Sequence, residues 1–242
     1  MGTQVSSNQV FLNIPRKKLN DALEDIFKAQ SKNNVLTFEG TILSEVFQKY
    51  YDSNIPVDFW WRDVVNDFIG PKILKSFYDS FTKDIKESFK KGKNACLAGK
   101  HGTGKTFTVS CILKRVVETG NYSALYVNLT DIIHVLLTGI PEVKVQARET
   151  LLNVDFLVID EVDSRFMGSD NAADLFGRIL EPIMRTRIQN HMPLIICTNT
   201  VKIQESFSGP LQASIESLMN VIKLIPIIGG EDARKKVGKG EL

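Results

Sequence analysis

The sequence is poor in the features that mark several classes of protein. Its three cysteines, Cys96, Cys111 and Cys197, are too few for a closed set of disulfides, and no cysteine or histidine spacing is typical of a zinc site. The 30 basic and 28 acidic side chains nearly cancel, so the net charge of +2 gives no overall field that attracts nucleic acid. We therefore expect a cytoplasmic protein in a reducing compartment, with any DNA binding supplied by local patches.

Long apolar runs are also missing. The longest ones, LLNVDFLVI and VIKLIPII, are far shorter than a bilayer-spanning helix, and the polar start MGTQVSSNQV lacks the apolar core of a secretory signal. The sequence therefore predicts no membrane association. With 43% hydrophobic and 24% charged residues, the 242-residue chain has the composition of one large globular domain with a modest appendage.

The chain divides into four segments. In order, they are a small N-terminal helical region (1–50), a connector with a long helix (51–93), a main domain (94–235) and a basic tail (236–242). The first segment contains two amphipathic helical patterns, Lys18 to Gln30 and Ile42 to Tyr51. The connector is punctuated by proline and glycine, and Pro71 then opens a helix that is predicted to extend through roughly Lys90.

From Asn94 onward, short apolar runs alternate with helical patterns. The apolar runs are NACLAG, ALYVN, FLVID, PLIICTN and KLIPII, and the helical patterns are Thr106 to Thr119, Leu129 to Thr138, Ala172 to Gln189 and Gln204 to Ile222. Buried strands that alternate with helices are typical of a parallel sheet covered on both faces. The sequence therefore predicts an α/β fold with a five-stranded parallel sheet.

A glycine-rich segment between the first strand and the next helix matches the pattern GxxxxGK[ST] in full. In such a loop, backbone N–H groups turn inward on phosphates, and the following helix directs its positive end at them. We expect Lys105 to reach the β- and γ-phosphates of ATP and Thr106 to bind Mg²⁺. The predicted nucleotide-binding residues here are Gly99, Lys100, His101, Gly102, Thr103, Gly104, Lys105, Thr106 and Phe107.

Two adjacent carboxylates, Asp160 and Glu161, follow the apolar strand FLVI. This pattern is typical of a Walker B site, and its coexistence with the phosphate-binding loop favours that interpretation. Asp160 is predicted to hold magnesium through water and to line the nucleotide site. Glu161 is predicted to polarise the attacking water as general base.

A third strand, PLIICTN, ends in Asn199. If this strand lies between the other two motif strands, Asn199 points at the γ-phosphate and helps to orient the attacking water. Thr-Asn at a strand end is otherwise a common start of a turn. Its rank in the chain, after the Asp-Glu strand, favours a catalytic role beside Lys105 and Glu161.

These motifs make the sequence resemble the AAA+ ATPases, and within them the DnaC/IstB group of helicase loaders and transposition helper ATPases. The resemblance extends from about Tyr50 to Lys235. It is carried by YYDSNIPVDFW, LAGKHGTGKT, DFLVIDEVD, the stretch RIQNHMPLIICTN and the closing GGEDAR. The resemblance implies a sheet in the order 5-1-4-3-2, Asn199 as sensor 1, and Arg234 as a sensor-2-like arginine near the γ-phosphate.

Two departures are visible, one from larger AAA+ proteins and one from the DnaC/IstB group itself. Only a short basic tail follows KLIPII, so no C-terminal lid domain is expected, in agreement with the group. In this group, however, the helix from Pro210 usually carries two arginines, of which one completes the active site of a neighbouring subunit. Here the matching positions are Ser214 and Ser217. Any such arginine has to come from elsewhere, either from a partner protein or from Arg185 or Arg187 of another subunit.

The resemblance implies a DnaC-like, ATP-dependent loader that binds a replicative DNA helicase and single-stranded DNA, as a homo-oligomer on DNA or with its partner. The alternatives are an IstB-like transposition helper on double-stranded DNA, or a weakly hydrolysing adaptor or antagonist of a helicase. The N-terminal region is the predicted helicase contact, because its helical pattern has an apolar stripe suited to packing on another helix. That stripe consists of Leu19, Leu23, Ile26 and Phe27. The alternative that it docks on its own main domain stays open.

Overall fold

The computed structural model describes residues 47–60, 62, 64, 71–162 and 170–228. The helices are α1 (Lys72–Thr82), α2 (Ile85–Lys90), α3 (Lys105–Glu118), α4 (Leu129–Thr138), α5 (Pro141–Asn153), α6 (Asp170–Gln189) and α7 (Gly209–Met219). The strands are β1 (Asn94–Gly99), β2 (Ala124–Asn128), β3 (Phe156–Asp160), β4 (Leu194–Thr198) and β5 (Lys223–Ile227). Short 3₁₀ turns lie at Val57–Phe59 and Ile203–Ser206, and residues 47–52 are helical.

The five strands form one parallel sheet in the order β2-β3-β4-β1-β5. This is the predicted order 5-1-4-3-2 counted from the other edge, so the predicted fold is confirmed. Since β4 lies between β1 and β3, the strands that carry the three predicted motifs are neighbours. Their carboxyl ends meet at one edge of the sheet, which is where ligands bind in open α/β folds.

Helices cover both faces of the sheet, because successive strand residues alternate between two apolar clusters. In β1, Cys96 and Ala98 belong to the cluster that α4, α5, α6 and α7 cover. Ala95 and Leu97 belong to the opposite cluster, which α1 and α3 cover. The runs are apolar throughout because both faces are buried, as expected for a parallel sheet.

One long helix from Pro71 through Lys90 is predicted from the sequence, but the structure has two. The first ends at Thr82 and the second begins at Ile85. Asp84 between them has extended backbone (φ −146°), and its side chain accepts a hydrogen bond of 2.8 Å from the Glu87 N–H. A capping carboxylate starts a new helix here, so the helical pattern continues while the helix itself is interrupted.

The other differences in secondary structure also have local causes. The predicted helix Gln204 to Ile222 is a 3₁₀ turn followed by α7, because Ser208 is extended and Pro210 opens a new first turn. No element is predicted from the sequence for residues 141–153, where the structure has α5. This helix buries only Ala147, Thr150 and Leu151, so its apolar stripe is too sparse to recognise.

The segment ahead of α1 packs on the same core as α3. Trp60 is 2% exposed, its ring stacks on Phe47 at 5.6 Å, and its Nε1–H donates to the Ile55 carbonyl at 2.7 Å. The Tyr50 hydroxyl donates to a carboxylate oxygen of Glu118 in α3 at 2.6 Å. The described end of the helical pattern Ile42 to Tyr51 is therefore joined to the main domain by buried aromatic contacts.

Several sequence expectations lie outside the described residues. They are the helical pattern Lys18 to Gln30, the element Gly229 to Arg234, the absence of a lid domain and the basic tail 236–242. Within the described ranges, no helix combines the length and the apolar character that crossing a bilayer requires.

Candidate functional site

The glycine-rich loop connects the end of β1 to the first residue of α3. Gly102 and Gly104 have φ of 74° and 91°, a backbone conformation that side chains with a Cβ rarely adopt. Gly99 is required for a different reason, since a Cβ there would lie 2.8 Å from the Ile227 carbonyl oxygen. The loop therefore folds tightly over the N-terminus of α3, an arrangement that directs backbone N–H groups at an anion.

Lys105, the first residue of α3, is 7% exposed and reaches back over this loop. Its Nζ donates to the carbonyl oxygens of Gly99 at 2.6 Å and Lys100 at 2.9 Å. It also donates to Asn199 Oδ1 at 3.0 Å. The fold thus brings together a cation and an amide that are 94 residues apart in sequence, at the edge where β1 and β4 end.

Asp160, the last residue of β3, lies beside the same helix N-terminus. Its side chain is almost fully buried, at 3% exposure for the residue. Asp160 Oδ2 accepts a hydrogen bond of 2.7 Å from Thr106 Oγ1, and Oδ1 accepts one of 2.6 Å from the Glu161 N–H. These residues fit a magnesium ion, which prefers hard oxygen ligands and few protein groups beside phosphate oxygens.

Glu161 follows directly and is exposed toward solvent. Its φ of 55° lies in the left-handed region, which is uncommon for a residue with a side chain. Such strain persists where the surroundings impose it, and it concentrates at functional sites. This left-handed residue directly follows the end of β3 at Asp160.

Tyr126 on β2 is part of this site and was not predicted from the sequence. Its hydroxyl donates to Asp160 Oδ2 at 2.8 Å. Burial, followed by the charge of Asp160, raises the pKa of the Tyr126 phenol, so the hydroxyl keeps its proton at neutral pH and acts as a donor. The strand register explains the contact, because it pairs Asn128 with Asp160 and leaves Tyr126 two residues back on the same face, but the sequence alone does not reveal this register.

The remaining predicted residues lie around this centre. Lys100 and His101 are exposed, whereas Thr103 is buried and its hydroxyl donates to the Lys100 carbonyl at 2.9 Å. The Phe107 ring lies 5.7 Å from that of Phe59. Arg234 lies outside the described residues.

Of the two arginines expected to serve a neighbouring subunit, Arg187 is unsuitable. Its side chain is fully buried, and its guanidinium donates to the carbonyl oxygens of Leu151 at 2.9 Å, Asp155 at 3.2 Å and Pro193 at 2.7 Å. Burial lowers the pKa of Arg187 to about 10, which leaves it charged at neutral pH. Arg187 joins α6 to α5 and to the residues that directly precede β3 and β4, so that part of the expectation is wrong.

Arg185 is at the surface instead. Its side chain is 44% exposed and forms an ion pair of 2.6 Å with Glu181. Its guanidinium also donates to the Ser214 hydroxyl on α7 at 2.8 Å. The Arg185 guanidinium therefore lies directly beside Ser214, one of the two positions at which the DnaC/IstB group usually has arginine.

Residues 95–218 match the sequence model of the ATPase family associated with various cellular activities (AAA). This match spans just over half of the chain and includes the phosphate-binding loop, Asp160, Glu161 and Asn199. No curated protein matches the chain in sequence.

Solved structures share the fold. A crystal structure of DnaI is 18% identical with a TM-score of 0.58, over 74% of this chain and 94% of that one. A DnaC helicase loader is 18% identical with a TM-score of 0.51, over 75% and 99%. AMPPCP-bound DnaA from Aquifex aeolicus is 18% identical with a TM-score of 0.54, over 74% and 54%. At this identity the likeness concerns the fold alone.

Proposed function

We propose that this chain, which belongs to the AAA family of ATPases, is a DnaC-like loader that uses Mg²⁺ and ATP to place a replicative helicase on single-stranded DNA. The observation that carries the proposal is the convergence of Lys105, Thr106, Asp160 and Asn199 at one sheet edge. The likeness to DnaI and to a DnaC helicase loader over nearly their whole length supports the choice within the family.

The residues of the site divide the work of phosphoryl transfer. The loop glycines and the N-terminus of α3 hold the phosphates, Lys105 neutralises charge on the β- and γ-phosphates, and Thr106 and Asp160 hold the metal directly or through water. Magnesium, when bound, withdraws charge from the transferring phosphate.

The attacking water is positioned by two further side chains. Glu161, exposed beside Asp160, accepts the proton of the water as general base. Asn199 contacts Lys105 and is assigned to orient the water that attacks the γ-phosphate. Because most of the catalysis of phosphoryl transfer is positioning and charge neutralisation, this set is sufficient for hydrolysis once the charge on the γ-phosphate is offset.

A weakly hydrolysing helicase adaptor is the second candidate function. It is favoured by α7, which has serines where the group usually has arginines and contains no basic residue. On that reading the protein binds ATP and a helicase but turns over little. The intact set of Lys105, Asp160, Glu161 and Asn199 favours the loader.

The test is a steady-state ATPase assay with and without single-stranded DNA and the replicative helicase of the same organism, followed by a helicase-loading assay on a single-stranded circle. The loader predicts that both additions raise turnover and that ATP drives helicase onto the circle. Helicase binding with turnover that stays low under all conditions would support the adaptor. Stimulation by double-stranded DNA alone would support the IstB-like transposition helper.

A further inference from the structure

Both carboxylate oxygens of Asp160 accept hydrogen bonds, and one of the donors belongs to an edge strand of the sheet. Oδ1 accepts the Glu161 N–H, while Oδ2 accepts the hydroxyls of Thr106 and Tyr126. The Tyr126 hydroxyl also lies 3.2 Å from Asn128 Oδ1. It has a single proton, which goes to the nearer and charged acceptor, Asp160.

The Tyr126 contact differs in kind from the Thr106 contact. Thr106 belongs to the phosphate-binding helix, so its hydroxyl oxygen is itself a candidate ligand of magnesium. The phenol of Tyr126 belongs to β2, which pairs with β3 on the side opposite to β4. The residue is 7% exposed. It is therefore a side-chain donor that can hold the Asp160 carboxylate in one orientation while Thr106 serves the metal.

Tyr126 is in turn held by the segment that precedes the main domain. β2 is an edge of the sheet, yet both backbone groups of Tyr126 are paired across that edge. The Tyr126 N–H donates to the Ser53 carbonyl at 2.9 Å, and Asn54 Nδ2 donates to the Tyr126 carbonyl at 2.9 Å.

The geometry of Asn54 is suited to this pairing. It is 7% exposed and has φ of 53°, a left-handed conformation that asparagine tolerates better than most residues. Ile55 beside it is fully buried, and its carbonyl accepts the Trp60 indole N–H. Ser53, which precedes Asn54, donates both its N–H and its hydroxyl to the Lys49 carbonyl. Ser53 is therefore hydrogen-bonded to the helical segment 47–52.

We propose that Tyr126 is a positioning residue for Asp160, and that Asn54 holds Tyr126 in place, so that the segment before the main domain is connected to the magnesium site. The chain of contacts runs from Asn54 to the Tyr126 backbone, through its ring to the hydroxyl, and on to Asp160 Oδ2. The proposal rests on the proposed function, since it assigns the metal to Thr106 and Asp160.

The experiment measures binding of a fluorescent, non-hydrolysable ATP analogue in magnesium and in EDTA. Tyr126→Phe removes only the hydroxyl, and Asn54→Gly removes the side-chain donor while it keeps the left-handed backbone accessible. Tyr122→Phe is the matched control, because Tyr122 precedes the same strand and packs on Phe156, which lies at the opposite end of β3 from Asp160.

Magnesium should raise the affinity of the wild-type protein for the ATP analogue. We expect this increase to be roughly 10-fold smaller in Tyr126→Phe, which is the usual effect of losing a residue that orients a metal ligand. Affinity in EDTA should be unchanged, which also shows that the variant is folded. Asn54→Gly should lose part of the gain, and the double variant should lose no more than Tyr126→Phe alone, because both act on the same carboxylate. Tyr122→Phe should keep the full gain.

A full magnesium gain in Tyr126→Phe would overturn the positioning role. Losses that add in the double variant would overturn the connection through Asn54, since independent sites give additive effects. If the wild-type protein binds no nucleotide at all, the proposed function fails and this inference fails with it. If the wild type binds and only the Tyr126→Phe result is negative, the inference alone fails.

Discussion

The Nζ of Lys105 lies 3.0 Å from Oδ1 of Asn199, which joins the phosphate-binding loop to the end of the central strand β4. The contact exists because β4 lies between β1 and β3 in the sheet. It places a cation, an amide and, one strand further, the Asp160 carboxylate within one small region.

Lys105→Ala should weaken binding of ATP by at least an order of magnitude, because the phosphates lose the buried cation that neutralises them. The measurement is binding of a fluorescent ATP analogue in magnesium. Lys83→Ala is the matched control, since Lys83 is exposed, lies outside the phosphate-binding loop directly after α1, and its loss should leave binding as in the wild type. Undiminished binding by Lys105→Ala would contradict the phosphate-binding interpretation of the loop.

Glu161→Gln should retain nucleotide affinity and lose hydrolysis. The amide has the shape of the carboxylate but cannot accept a proton, and a general base typically contributes roughly 10² to 10⁴ in rate. Phosphate release under single-turnover conditions measures the step directly. If turnover continues at the wild-type rate, Glu161 is not the base.

Removal of residues 1–44 should abolish capture of the helicase while leaving ATP binding intact. The truncated protein begins at Glu45 and not at the predicted segment boundary near Tyr50, because Phe47 and Tyr50 are buried in the core that α3 shares. A pull-down of the helicase, paired with nucleotide binding, separates the two roles. A truncated protein that still captures the helicase would show that the apolar stripe from Leu19 to Phe27 is not the helicase contact.

Much of the fold and most of the site could be predicted from the sequence because the information is local. The phosphate-binding loop, the Asp-Glu pair and the strand ending in Asn199 each occupy a few consecutive residues, and alternation of strands and helices predicts a parallel sheet.

The groups that escaped prediction depend on tertiary contacts. Tyr126 becomes a site residue only when β2 pairs with β3, and nothing in ALYVN distinguishes its hydroxyl from that of any strand tyrosine. Arg187 looks like a surface arginine in the sequence, yet it is buried against carbonyl groups that belong to three other segments. Both are polar groups in the interior, and the pattern of apolar residues contains no information on their partners.

Arg187→Ala should destabilise the protein by about 3–5 kcal/mol, because several buried carbonyl groups lose their donor and a cavity remains. Thermal and urea unfolding measure the loss. Arg178→Ala on the same helix is the control, since Arg178 is exposed and its loss should change stability by less than about 0.5 kcal/mol. A stable Arg187→Ala variant that fails only in hydrolysis would return this residue to the list of catalytic candidates.

Arg185→Ala should slow hydrolysis in the assembled protein without weakening nucleotide binding or stability. The helix α7 provides no basic residue, so the guanidinium that offsets γ-phosphate charge across a subunit interface is expected from a partner protein or from a neighbouring element of this chain. Arg185 is half exposed and is held beside Ser214 by Glu181, which makes it the remaining described candidate of the pair. A guanidinium supplied in this way is worth roughly 10³ to 10⁵ in rate.

Mixing two inactive variants tests whether Arg185 acts across the interface. An Arg185→Ala subunit keeps Lys105 and Glu161, whereas a Glu161→Gln subunit keeps Arg185. In a mixed assembly, the second can therefore complete the site of the first, and the mixture should hydrolyse ATP faster than either variant alone. The wild-type protein should also gain specific activity with concentration, because the site is complete only between subunits. Rapid hydrolysis by a dilute monomer that is indifferent to Arg185→Ala would show that no arginine from a neighbour is required.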